Sequence, residues 1–332
     1  MIVEPACPLP DQRATPRVPG GIAAKFPGVC LAMDAMRTRF ELLLPGEDSP
    51  RLRAAGEAAL GEIVSCESRL SLFRPGSLVS RINDTAYKAA VLLDRDTFEL
   101  LYICREVWAQ SGGAFDITIG PLMRAWGFRG IPADPVAAET CAWGFQHIEL
   151  DERNYSVRFL KPGLSIDLGG VGKGHALDLA AAELRAAGVS RAFLHAGTSS
   201  VLAIGDGSGS EGWRIAVSPD PSSPVVKLRD LALGVSAQRG RVIDDCGVHR
   251  GHILDPRTGR PAPGIETAAV VAPSAALADA WSTAVLVCAA CPARDDLTGI
   301  IDRGKTASPR WVVHGPHADK VTARAGSAAQ RS

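Results

Sequence analysis

Two stretches hold the residues best suited to chemistry. In "IDLGGVGKGHALD" (166–178) four glycines and Lys173 stand directly before a helix-patterned run. Glycines let a backbone approach a ligand closely, and unpaired amides at a helix start attract anions, to which a lysine adds charge. The stretch therefore suits a phosphate, or else a tight strand-to-helix turn with an exposed lysine. It fits neither familiar phosphate loop. Aligned on G-x-x-x-x-G-K-[ST], it places Asp167 at the first glycine and Gly174 where a magnesium-binding hydroxyl belongs. Aligned on G-x-G-x-x-G, it places His175 at the third glycine, with no clean βαβ unit around it.

In "LADAWSTAV" (277–285), Asp279 and Thr283 are four residues apart and share one face of an otherwise apolar helix. A buried carboxylate without a partner is costly. Asp279 therefore either hydrogen-bonds locally or faces a cation, and a carboxylate beside a hydroxyl is hard-oxygen chemistry suited to Mg2+. Cys288 and Cys291 form a lone CxxC with no second pair at metal spacing, and it stays unassigned.

The elements that must position these residues alternate irregularly, which indicates an α+β fold. "RFELLLPG" (39–46) reads as a strand, and Leu52, Ala55, Ala59, Ile63, Cys66 and Leu70 mark one buried helical stripe after it. A second helix is expected from an N-cap at Asp96 or Thr97 to the Gly112-Gly113 stop. A third carries Leu177, Ala180, Ala181 and Leu184 to a cap at Gly188, before a strand at 191–197. A helix over 273–290 starts at Ser274. Residues 1–34 read as an irregular arm, 35–305 as the working domain, and 306–332 as a partly disordered tail.

The chain has 332 residues, 46% hydrophobic and 22% charged, enough to bury a large core in one domain or two closely packed lobes. Its formal net charge is zero, which gives no field for nucleic acid or an anionic membrane. The eight cysteines lack the spacing of a disulfide scaffold. No apolar run reaches the length of a spanning helix, and neither a signal peptide nor a lipidated Cys30 fits the first thirty residues. The expectation is a soluble, cytoplasmic monomer.

Five segments in order, "SLFRPGSLVSRIN" (71–83), "FDITIGPLMRAWGF" (115–128), "IDLGGVGKGHALD" (166–178), "HILDPRTGRP" (252–261) and "APSAALADAWSTAVLV" (272–287), resemble the FAD:protein FMN transferase (ApbE) family. The resemblance implies mixed sheets flanked by helices, with two lobes around a central FAD cleft, related to the T-fold. It implies that FAD is the substrate and Mg2+ the metal, and that FMN passes to a Thr or Ser hydroxyl of an acceptor flavoprotein as AMP leaves. Asp279 and Thr283 match the family's side-chain metal ligands, and Gly172 falls where a backbone carbonyl is the third. Gly169, Gly170 and Lys173 would hold phosphate; Met36, Thr38, Phe115, Asp116, Gly197, Thr198, His252 and Asp255 would line the cofactor site. His252 is the candidate for assisting proton loss from the acceptor hydroxyl. Ser71, Phe73, Ser77, Ser80 and Asn83 match a further signature and read as structural first.

The chain departs from the family pattern at three places. Met36-Arg37-Thr38 stands where Met-Gly-Thr is usual, and Gly197-Thr198-Ser199 where Gly-Gly precedes an acidic or amide residue. The first thirty residues are not expected to act as the export signal common in the family. Two alternatives stay open on sequence alone: an FAD pyrophosphatase giving FMN and AMP, and a non-catalytic flavin-binding protein.

Overall fold

The computed structural model describes residues 27–128, 141–207, 211–238, 242–245, 248–251, 253–262, 265–304, 307, 310–322 and 329–331. Its centre is a sheet whose nine described strands lie side by side in chain order: β1 (Gly28–Ala35), β2 (Thr38–Pro45), β3 (Ala192–Ala196), β4 (Ser200–Ile204), β5 (Ala232–Ala237), β6 (Thr267–Ala272), β7 (Thr298–Asp302), β8 (Trp311–His314) and β9 (Ala329–Arg331). Every neighbouring pair is antiparallel except β8 with β9.

β1 and β2 close through Met36 and Arg37, both at positive φ (50° and 62°), the conformation a two-residue hairpin of this twist requires. Asn-Gly is the usual solution there. The backbone thus accepts the family-breaking Arg37 in left-handed space, and its guanidinium lies 5.9 Å from the ring centre of Phe73.

Three long helices cover one face of the sheet. In α1 (Ser49–Leu70) the expected stripe Leu52, Ala55, Ala59, Ile63, Cys66 and Leu70 is buried, each leucine or isoleucine contributing roughly 1.5–3 kcal/mol. α2 (Leu78–Thr85), α3 (Arg95–Gln110) and the short α4 (Gly120–Ala125) precede α5 (Gly172–Ala186), which packs between α1 and α6 (Ala275–Cys288). Ser274 caps α6 through the Leu277 amide, as expected. The cap of α3 is Asp94, not Asp96 or Thr97: its carboxylate takes the Thr97 amide and hydroxyl, both at 2.9 Å. An aspartate two residues upstream offers both oxygens to one residue, which a threonine cap cannot do.

A smaller sheet of Trp213–Ala216, Val225–Leu228 and Val321–Thr322 packs with Phe193, Val201, Leu233, Val271 and Trp311 on the opposite face. Burial on both faces explains why β3, β4 and β6 lack alternation: every residue in them is buried.

Two boundaries need correction. β1 begins at Gly28, so the expected arm over 1–34 ends in a paired strand. The expected tail contributes β8, where Trp311 is 1% exposed, because alternating apolar residues there complete the second core. No helix among the described residues is long and apolar enough to cross a membrane.

Candidate functional site

The starts of α5 and α6 meet at one point, and two glycines make this possible. A side chain on Gly174 would collide with the backbone of Ala275 and Ala276, and one on Gly234 of β5 with the backbone of Ala278 and Asp279. Asp178 of α5 reaches across to accept the Ala275 and Ala276 amides at 2.7 and 2.9 Å, tying the two helices together. Burial nevertheless pushes the Asp178 carboxyl up to about 6.

Asp279 sits at this junction, 5% exposed. Its Oδ2 accepts the Gly174 amide at 2.8 Å, and the Ser200 hydroxyl lies 2.9 Å from each carboxylate oxygen. Burial pushes this carboxyl up to about 7, and Asp178 adds to the rise; the Lys173 charge and the bonds from Ser200 and Gly174 pull it down. One turn on, the Thr283 hydroxyl is 3.3 Å from the Asp279 carbonyl and 3.2 Å from Ser236 Oγ, which in turn pairs with Ser282 Oγ at 2.8 Å. Ser200 and Ser236 escaped the sequence reading. They lie on β4 and β5, and only strand pairing brings them to α6.

Asp279, Thr283, Ser236 and Ser282 line the floor of a cleft of about 490 Å3, with Ser200 behind them. Of the expected residues, Phe115, Asp116, Gly169, Gly170, Lys173, Thr198, Asp279 and Thr283 line it. Gly170 lies between Phe115 and Thr283, where a Cβ would come within ordinary contact of both, 3.4 Å from the Phe115 ring and 4.0 Å from Thr283 Oγ1. Asp116 also braces its wall of the cleft, accepting the Thr118 amide and hydroxyl at 2.7 Å and the Phe145 amide at 3.0 Å. Ile253, Leu254 and Pro256 supply part of an apolar wall.

Other expected residues stand back from the lining. Gly172 is the first residue of α5. Met36 lies in the β1–β2 turn and Thr38 opens β2, where a side chain on Gly197 (φ 62°) of the β3–β4 turn would strike Thr38. Asp255 is engaged in its own turn, where it accepts the Arg257 amide at 2.9 Å and its guanidinium at 2.8 and 2.9 Å. His252 lies outside the described residues.

Several amides of the glycine loop already have partners within the protein. The Gly169 amide donates to Asp167 at 2.9 Å, Val171 and Gly172 donate to the Leu168 carbonyl, and Gly174 donates to Asp279. The loop uses these four amides to shape itself and to fix the carboxylate, while Gly170 and Lys173 line the cleft. The signature at 71–83 is structural as read: Ser77 caps α2, and Asn83 bonds the Ile166 main chain in both directions at 3.1 and 2.8 Å. Cys288 and Cys291 are free thiols at the end of α6, with Arg257 Nη1 3.7 Å from the Cys288 sulfur.

The donor set fits a hard divalent cation. Among the described residues no group of three or more His, Cys, Asp and Glu side chains could hold a metal, so a cation here would draw on hydroxyl and carbonyl oxygens beside Asp279. No ion pair to the buried Asp279 is found among the described residues; two hydrogen-bond donors and the more distant Lys173 charge are what favour its ionised form.

An α+β fold with a cleft of this kind, oxygen-rich at its floor, cationic at Lys173 and apolar along one wall, suits an anionic ligand with a sizeable apolar part. Residues 36–295 match the model of the ApbE family, and the chain belongs to that family. It is 36% identical over 223 residues to an FAD:protein FMN transferase of Rhodobacter capsulatus, a match covering 64% of this chain but 42% of that relative. It is 27% identical to the Escherichia coli FAD:protein FMN transferase, over 76% of each chain. Its fold matches the ApbE protein of Thermotoga maritima with a TM-score of 0.73 at 28% identity, covering 82% of this chain and 94% of that one. The Pseudomonas stutzeri flavinyl transferase ApbE gives 0.72 at 23% identity, covering 88% and 95%.

Proposed function

We propose that this protein transfers the FMN half of FAD to a Thr or Ser hydroxyl of an acceptor flavoprotein, with Mg2+ at the pyrophosphate. The observation that carries this reading is the buried Asp279 carboxylate, set beside Thr283 at the floor of a cleft that also presents Lys173. The names of the relatives supply the reaction class. The acceptor oxygen forms a bond to the FMN phosphorus, the phosphorus–oxygen bond to AMP breaks, and the hydroxyl proton passes to a base, for which His252 is the candidate.

Asp279 and Thr283 would hold the metal, joined by the Gly172 carbonyl as in the family. When bound, Mg2+ supplies positive charge to the pyrophosphate, which makes phosphorus more electrophilic and AMP a better leaving group. Lys173 stabilises nonbridging oxygens as charge builds on them. Gly170, with no side chain, leaves space between Phe115 and Thr283 for the ligand.

The test mixes the protein, FAD and Mg2+ with an acceptor domain carrying a target threonine, then reads flavin fluorescence on a denaturing gel and AMP in solution. The expected result is a fluorescent acceptor band that disappears with chelator, and AMP in equal amount. AMP without a labelled acceptor would make the protein a pyrophosphatase; retained flavin with no AMP would make it a binder. Asp279→Ala should abolish the metal-dependent band while circular dichroism stays folded. Full activity in that variant overturns the metal assignment.

A further inference from the structure

Ser200 opens β4 and has no exposed surface. It does not line the cleft; its neighbours Thr198 and Ser199 do. Its close polar partner among the described residues is Asp279, where Oγ stands 2.9 Å from both Oδ1 and Oδ2. Ser199 Oγ, at 3.4 Å, is a much weaker contact. A hydroxyl carries one proton. Equal distances let this one donor serve either carboxylate oxygen, which holds the carboxylate in place beside β4. The Gly174 amide, 2.8 Å from Oδ2, holds the carboxylate from a second side.

These two donors come from different elements, β4 and the first turn of α5, and they meet on a carboxylate from α6. Oδ2 accepts from both donors and Oδ1 from Ser200 alone, so Oδ1 keeps the more open coordination for a cation. Ser200 is also held in register: Ser200 pairs with Gly234, whose missing side chain brings α6 against β5. The serine, the glycine and the carboxylate are parts of one local arrangement.

We infer that Ser200 is a positioning residue which, through Asp279, sets how tightly the site holds a divalent cation. The inference rests on the proposed metal role of Asp279. Removing an outer partner of a metal-binding carboxylate commonly weakens the metal by about 10- to 100-fold, because the ligand loses its fixed orientation.

The experiment titrates Mn2+ into the FAD-loaded protein, followed by electron paramagnetic resonance without turnover, for wild type, Ser200→Ala, Ser200→Cys, Ser200→Thr and Asp279→Asn. Ser200→Ala should raise the Mn2+ dissociation constant about tenfold or more. Ser200→Cys keeps the volume with a weak donor and should shift it in the same direction, while Ser200→Thr, which restores the hydroxyl, should return it toward wild type. If Asp279→Asn loses Mn2+ while the alanine and cysteine variants bind as wild type, the role of Ser200 is overturned and the metal site stands. If wild type and Asp279→Asn bind Mn2+ equally, the metal reading falls and the role of Ser200 with it.

Discussion

His175 gives the protein a built-in sensitivity to acid. It lies in the first turns of α5, 7% exposed, and its Nε2 has no partner among the described residues. Burial lowers its pKa to about 4 and the Arg69 charge from α1 adds to this, while Asp94, Asp96 and Glu99 around the start of α3 oppose it. An unfolded chain titrates the same ring near its ordinary value of 6.5. Between those values the unfolded state binds a proton that the native state refuses. Stability is therefore full above about pH 6.5, falls as pH drops toward about 4, and is not reduced further by this group below that. At ~1.36 kcal/mol per pKa unit, the interval amounts to roughly 3 kcal/mol. Urea unfolding of wild type and His175→Leu at about pH 7 and about pH 4 isolates the effect, because other titrating groups cancel in the difference. Wild type should lose roughly 3 kcal/mol more than the variant. Equal losses would show that the imidazole is not buried in its neutral form.

Two further predictions concern packing around the site. Gly234→Ala drives a methyl into the backbone of α6, which cannot step aside as a flexible side chain could, so a loss of about 1–3 kcal/mol or more is expected. An unchanged thermal midpoint would contradict the close approach. Asn83→Ala removes both bonds to the Ile166 main chain and should cost about 1–3 kcal/mol. Hydrogen exchange should quicken at the Ile166 amide; unchanged exchange there would mean that the asparagine does not pin the segment leading to the glycine loop.

Much of the helical layer could be read from the sequence, because a half-buried helix writes its packing as a period: the α1 stripe and the Ser274 cap are both local patterns. Asp279 was legible for the opposite reason, as a charge that interrupts an apolar helix. What stayed hidden depends on distant pairing. Ser200 is 79 residues from Asp279, and Ser236 is 47 from Thr283. Asp178 is 97 residues from the Ala275 amide it caps. The central strands were hard to order because burial on both faces erases alternation. The glycine loop was legible only in part: its composition did not tell that Asp167, Leu168 and Asp279 take four of its amides.

Strand order in the main sheet has a kinetic meaning. Most neighbours are close in the chain, so their pairing closes short loops and can form early. β2 and β3 are the exception: Phe40 pairs with Ala196, and residues 46–191, whose described part holds the five helices α1 to α5, must be gathered before that contact closes. The β1–β2 hairpin can form alone yet remains detached from the rest of the sheet until this step. Closure of that seam should therefore limit the folding rate. A cut between α1 and α5 would leave two fragments whose sheet contact is this same seam.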